Sequence, residues 1–259
     1  MLIAAARAAQ VNETAIAIFI DEVQYLSQTD LAALIVAIHR VGRKALPLIV
    51  LGAGLPQLAA LAGEAKSSAE RLFDYPDVGP LRDEAAANAI RAPVEREGVA
   101  ITQDALNLIV DRTNGYPYFL QEWGAHAWNA ADRSPIGDDD VRRADDAVLR
   151  QLDNGFFRVR LDRLTPREKD YMRAMAELGP GPHRSGEIAQ AMQIDVTTAG
   201  PLRNGLIEKG MIYSPQHGDT AFTVPMFDEF MRRSIPDWKA PAQGGSKPEG
   251  SRPPRRRRS

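Results

Sequence analysis

The chain has 259 residues, 44% hydrophobic and 25% charged, the make-up of an ordinary soluble protein with room for one large domain or two to three small ones. It has no cysteine, which excludes disulfides, thiolate-bound zinc and a cysteine nucleophile and fits a cytoplasmic setting. The formal charge of −2 is uneven: residues 239–259 hold seven Lys or Arg against one Glu, leaving −8 on residues 1–238, so any contact with DNA has to be a local patch.

The opening apolar stretch is too short to span a membrane, and it ends in Asp21-Glu22 where a cleaved signal would need small residues. No targeting segment and no membrane partner are expected. Ile16–Ile20 (IAIFI) is continuous and β-rich, the pattern of a strand buried on both faces of a parallel sheet. Leu31, Leu34, Ile35, Ile38 and Val41 follow at helical spacing, with Asp30 as the N-cap and Gly42 as the stop. A second strand, Leu48–Leu51, runs into Gly52-Ala53-Gly54. Strand, helix, strand predicts a βαβ unit with parallel strands.

From Asp83 to Leu152 the periodicity is helical, with Thr102 capping a helix that buries Leu106, Ile109 and Val110 and stops at Asn114-Gly115. Thr165-Pro166-Arg167-Glu168 is a capping box opening a helix with Tyr171, Met172 and Met175 inside. A short helix from Ser185 buries Ile188, Ala189 and Met192, and a third helix spans roughly Gly200 to Lys209. Two β segments, Met211–Ser214 and Ala221–Val224, complete the order of a winged helix. The Pro/Gly/Ser/Arg-rich end lacks apolar anchors, so disorder is expected there.

An apolar strand ending in Asp-Glu puts two carboxylates where ligands bind in open α/β sheets, although alone it reads more readily as the start of a solvated loop. With its neighbours in order over residues 10–235, the chain resembles AAA+/STAND-type P-loop ATPases of the archaeal-ATPase and origin-recognition kind. The resemblance implies a Walker B role for the acids, with Asp21 holding Mg²⁺ and Glu22 polarising the attacking water for ATP hydrolysis. Gly52 and Gly54 fall where that family keeps sensor 1, without its polar side chain. Arg71 matches the arginine finger, with a surface ion pair to Glu70 or Asp74 as the alternative. Gly115-Tyr116-Pro117 looks like the Gly-x-Pro of STAND lids, where a loop approaches the nucleotide.

The sequence holds no G-x-x-x-x-G-K-[ST], the loop that supplies most of the phosphate affinity, and in the family that loop precedes Walker B. The chain therefore reads as truncated, and alone it is expected to bind ATP weakly or not at all. The fold expected is α/β plus all-α: a partial parallel-sheet P-loop core over 1–80, a helical lid over 81–155, a winged helix-turn-helix over 156–238 and a basic tail over 239–259. In the winged helix, Arg203 and Asn204 are residue types that read base edges, and Arg184, Lys209 and His217 could contact phosphate. The partners left open are DNA, a second copy and another protein. The function implied is a nucleotide-dependent switch, and the alternative is a non-catalytic DNA-binding or protein-interaction module with a vestigial ATPase core.

Overall fold

Two apolar strands separated by an amphipathic helix leave the chain one economical arrangement, and the computed structural model adopts it. Residues 1–56, 58–66, 69 and 72–240 are described. Helix α1 (Leu2–Val11) precedes β1 (Ile16–Ile20), α2 (Gln28–Arg43), β2 (Leu48–Gly52) and α3 (Leu58–Ala65). The strands pair in parallel and in register, Ile16 opposite Leu48 and Ile20 opposite Gly52. Helix α2 packs on β2, with α1 and α3 against α2.

Among the described residues the sheet is covered on one face only, contrary to the two-sided burial that its sequence suggests. Ile16, Ile18, Ile20, Leu48 and Val50 are half-buried, whereas Phe19, Ile49 and Leu51 on the other face are 76%, 58% and 44% exposed. A continuous apolar run cannot report which face is covered, because both faces carry the same residue types. Helix α2 also starts earlier than its apolar stripe implies. Its cap is Ser27, whose Oγ accepts from the Asp30 amide at 3.1 Å, while Asp30 lies in the first turn and accepts from the Ser27 hydroxyl at 2.6 Å. Gly42 does not end it; the helix continues to Arg43.

Helices α4 (Asp83–Arg96), α5 (Gln103–Thr113), α6 (Pro117–Ala130) and α7 (Asp138–Gln151) form the middle layer. Thr102 caps α5 with its side chain on the Ala105 amide, and Asn114 and Gly115 end it at positive φ. Three aspartates, 138–140, open α7 where the helix dipole favours negative charge. Helix α7 runs on through a π-helical turn, Leu152–Phe157, into α8 (Arg158–Leu161). The wider turn aims two adjacent rings apart: Phe156 stacks on Tyr118 at 4.9 Å, and Phe157 stacks on Phe230 at 5.1 Å.

In the C-terminal layer, α9 (Pro166–Leu178) is central, with α10 (Ser185–Ala191), α11 (Val196–Glu208) and α12 (Phe227–Ser234) packed on it. The capping box forms as its sequence implies, Thr165 Oγ1 accepting from Glu168 N and Glu168 Oε2 from Thr165 N. Strands β3 (His183–Arg184), β4 (Ile212–Tyr213) and β5 (Asp219–Phe222) make an antiparallel sheet ordered β3-β5-β4. The two-residue β3 is too short to show in the pattern. Helix α11 begins four residues before Gly200 and carries Pro201 inside it, because burial of Ala199 and Leu206 outweighs the weak helix propensity of Val196-Thr197-Thr198.

One hydrophobic cluster runs continuously from Ala86 to Met231 and so joins the middle and C-terminal layers. A separate small cluster, Val23, Leu31, Ile35, Ala62 and Ala69, lies under β1 and β2. No helix among the described residues is long and apolar enough to cross a membrane.

Candidate nucleotide edge and nucleic-acid face

The carboxyl ends of β1 and β2 lie side by side, and the chain leaves them in two loops that are stitched together. The Ala53 amide donates to Ile20 O at 2.9 Å, and the Val23 amide donates back to Ala53 O at 3.0 Å. Glu22 takes a left-handed conformation, φ 54° and ψ 44°, which ends β1 sharply and starts a 3-10 turn over Val23–Tyr25. Asp21 and Glu22 are both exposed on this edge. Asp21 Oδ1 accepts from the Glu22 amide at 2.9 Å, and Glu22 Oε2 accepts from the Gln24 side-chain amide.

Gly52 and Gly54 serve this junction sterically. A Cβ at Gly52 would stand 2.9 Å from Val23 Cγ2, and one at Gly54 would stand 2.6 Å from Gln24 Oε1. The polar group at the edge is thus Gln24, from the β1 loop, and not a side chain of β2. Sequence reasoning missed it; the signal was a glutamine two residues after Asp-Glu facing a Gly-Ala-Gly turn.

Two adjacent carboxylates at the end of a parallel strand suit Mg²⁺, which keeps several waters and is held by one or two carboxylates plus substrate phosphates. Among the described residues no group of three or more acidic or histidine side chains could cage a metal ion. Asp21 and Glu22 alone would supply at most two carboxylates to such an ion.

Of the other residues singled out by sequence, several make structural contacts of their own and some lie outside what is described. Arg71 is outside the described residues, as is the tail from 241 on. Gly115 is pressed against Leu81: Leu81 N donates to Gly115 O at 3.0 Å, and a Cβ on Gly115 would lie 2.1 Å from Leu81 O. Tyr116 packs on Phe119 at 4.8 Å, and Pro117 opens α6. The Gly-Tyr-Pro loop thus fixes the α5–α6 corner to the strap that enters α4.

In the C-terminal layer, two of the candidate base and phosphate readers are already engaged. Arg203 donates through Nε to Thr220 Oγ1 at 2.9 Å and through Nη2 to Asp219 O at 3.1 Å, tying α11 to β5. Lys209 reaches both Glu168 carboxylate oxygens at 2.8 and 2.6 Å. Burial pushes the Glu168 carboxyl up, but the bonds from Lys209 and Thr165 outweigh it and hold the group below the usual carboxylate range. Both cations are thus internal links, because β5 and the α9 cap offer them acceptors that no one-dimensional pattern shows. Arg184 pairs with Asp219 at 3.1 Å yet stays 71% exposed, and Asn204 and His217 are exposed.

Among solved structures, the chain is similar to a Walker-type ATPase of Pyrococcus abyssi, with a TM-score of 0.61 and 18% identity over 84% of this chain. The fold is P-loop ATPase-like. The match covers 63% of that protein, so this chain spans less than two thirds of its length. The RuvB Holliday junction branch migration motor of Thermotoga maritima matches at a TM-score of 0.44 and 17% identity, over 82% of this chain and 77% of its own. Residues 154–231, from the π turn to α12, match a domain of unknown function (DUF8462). No curated protein matches the sequence.

Proposed function

We propose that the chain is the Walker B, lid and winged-helix portion of an AAA+/STAND-type ATPase and acts as a nucleotide-dependent switch using Mg²⁺ and ATP. The observation that carries this reading is Asp21-Glu22 at the carboxyl edge of a parallel pair in a P-loop ATPase-like fold. In this reading Asp21 orients the hydrated metal and Glu22 takes a proton from the attacking water, while Arg71 supports the transferring phosphoryl group from a neighbouring copy. Gly115-Tyr116-Pro117 would transmit the nucleotide state to the helical layer, which shares one hydrophobic cluster with the C-terminal layer. The test is Glu22→Gln in a form of the protein that carries a G-x-x-x-x-G-K-[ST] segment. Nucleotide binding should persist and hydrolysis should fall; unchanged turnover would make Glu22 a loop residue.

The order α9, β3, α10, α11, β4, β5 supports the winged-helix reading of residues 166–222. A second reading, in which this module is a docking element and not a DNA reader, is favoured by the engagement of Arg203 and Lys209. Arg203→Ala should then lower stability by about 1–2 kcal/mol for its lost hydrogen bonds and leave DNA mobility shifts unchanged. Loss of sequence-specific binding at unchanged stability would instead restore Arg203 as a base reader, with the tetra-arginine tail adding non-specific affinity.

A further inference from the structure

Gln24 holds two groups at once, and its two ends are chemically distinct. Its Nε2 donates to Glu22 Oε2, and its Oε1 accepts from the Leu55 amide at 3.2 Å. Only this orientation satisfies both partners, since a carboxylate accepts and a backbone N–H donates. Gly54 leaves room for it, because any Cβ there would collide with Gln24 Oε1.

Leu55 in turn faces the C-terminal layer. Its Cδ1 lies 2.8 Å from where a Cβ on Gly210 would be, so its side chain seats directly on the bare backbone between α11 and β4. Gly210 adopts φ +67°, a conformation that glycine reaches without strain, and its amide closes the end of α11 on Ile207 O at 2.9 Å. The next residue, Met211, accepts from the Thr223 amide beyond β5. A short unbroken path of one ion–dipole bond, one backbone bond and one packing contact therefore runs from the Glu22 carboxylate to the α11–β4 corner.

We infer that Gln24 is a positioning residue for Glu22 and that, through Leu55, it makes the set of that carboxylate depend on how the C-terminal layer is seated at Gly210. A shift of the α11–β4 corner moves Leu55, lengthens its bond to Gln24 and frees the carboxamide to turn away from Glu22; a change at Glu22 travels back the same way. The coupling rests on geometry alone. Its meaning for hydrolysis rests on the ATPase reading of Glu22.

The experiment is nuclear magnetic resonance on the full chain, comparing wild type with Leu55→Ala and Gln24→Met, the latter of similar length without the carboxamide. Leu55→Ala should shift the Gln24 side-chain amide and the Glu22 side-chain carboxyl signals together with Gly210. Gln24→Met should speed Leu55 amide exchange about fivefold, the equivalent of one hydrogen bond, and shift the Gly210 amide. Gly54→Ala, which displaces Gln24 without removing it, should reproduce the Gln24→Met pattern and serves if that variant folds poorly. A Leu55→Ala spectrum in which Gly210 moves while Gln24 and Glu22 do not would overturn the coupling and leave Gln24 a loop staple. Adding Mg·ATP to a form of the protein that carries a G-x-x-x-x-G-K-[ST] segment separates the two ideas. Intact coupling with silent Asp21 and Glu22 signals would remove the ATPase reading alone; responsive acids without coupling would remove the relay alone.

Discussion

The two hydrophobic clusters differ in what they bury and therefore in what holds them. Beneath β1 and β2 the cluster is Val23, Leu31, Ile35, Ala62 and Ala69, small aliphatic groups under a sheet whose far face is open. The cluster of the middle and C-terminal layers contains Trp123, Phe119, Phe157, Tyr171, Phe227 and Phe230, all fully buried. Stabilisation scales with apolar area removed from water, at about 25 cal/mol per Å², so the aromatic body is the stable platform and the β1–β2 unit is its lightly held neighbour. The proposed switch would use that asymmetry, since a moving part comes from the low-stability end of a molecule.

The largest test of the contrast is Phe157→Ala. This ring lies between Phe230, Phe227 and Phe119, at 5.1, 5.5 and 5.7 Å, and it locks the π turn to α12. Its removal should cost about 3–5 kcal/mol in urea unfolding. Trp123 is buried in that body, Trp238 packs against it and Trp128 is an exposed residue of α6, so tryptophan fluorescence reports on the middle and C-terminal layers. Amide exchange in β1 and β2 should remain near wild type. Equal acceleration in both regions would merge them into one cooperative unit.

A smaller effect is expected for Lys209→Ala, about 1–3 kcal/mol, because Glu168 is buried but the Lys209 side chain is 35% exposed. The pH dependence has a fixed sign. Glu168 is held below the usual carboxylate range, so its contribution is complete above the unfolded carboxyl pKa and is lost as pH falls through the lower folded value. The variant should therefore lose less stability on acidification than wild type, measured as the change in urea midpoint between neutral and acid pH. Smallest of all, Phe19→Ser should change stability by no more than about 0.5 kcal/mol, since the ring is 76% exposed. A larger loss would mean that this sheet face is covered in solution.

The same contrast explains what could be read from the sequence. The strands and helix of the βαβ unit, the Thr102 and Thr165 caps and the buried stripe of α9 were legible, because each is signalled by a local run of residues. Phe19 on an open face was not, since an all-apolar strand looks the same whichever side is covered. The fates of Arg203 and Lys209 were hidden for a different reason: their acceptors, Thr220, Asp219 and Glu168, lie 16 to 41 residues away. Gln24 belongs with these, its partner Leu55 being 31 residues on. Local chemistry was visible at Asp21 and Glu22, but the group that orients one of them was visible only in three dimensions.

The central claim is that the Asp21-Glu22 edge is where metal and nucleotide phosphates meet this chain. Titrating Mn²⁺·ATP into an isotopically labelled form that carries a G-x-x-x-x-G-K-[ST] segment tests it most directly, because the paramagnetic ion broadens the signals of nearby residues. Residues 20–24 and 52–55 should broaden first, and Asp21→Asn should abolish the effect. Broadening centred on the acidic start of α7 at Asp138–Asp140, or on the hollow of about 550 Å³ lined by Asp83, Glu84 and Asp111, with the edge untouched, would contradict the account.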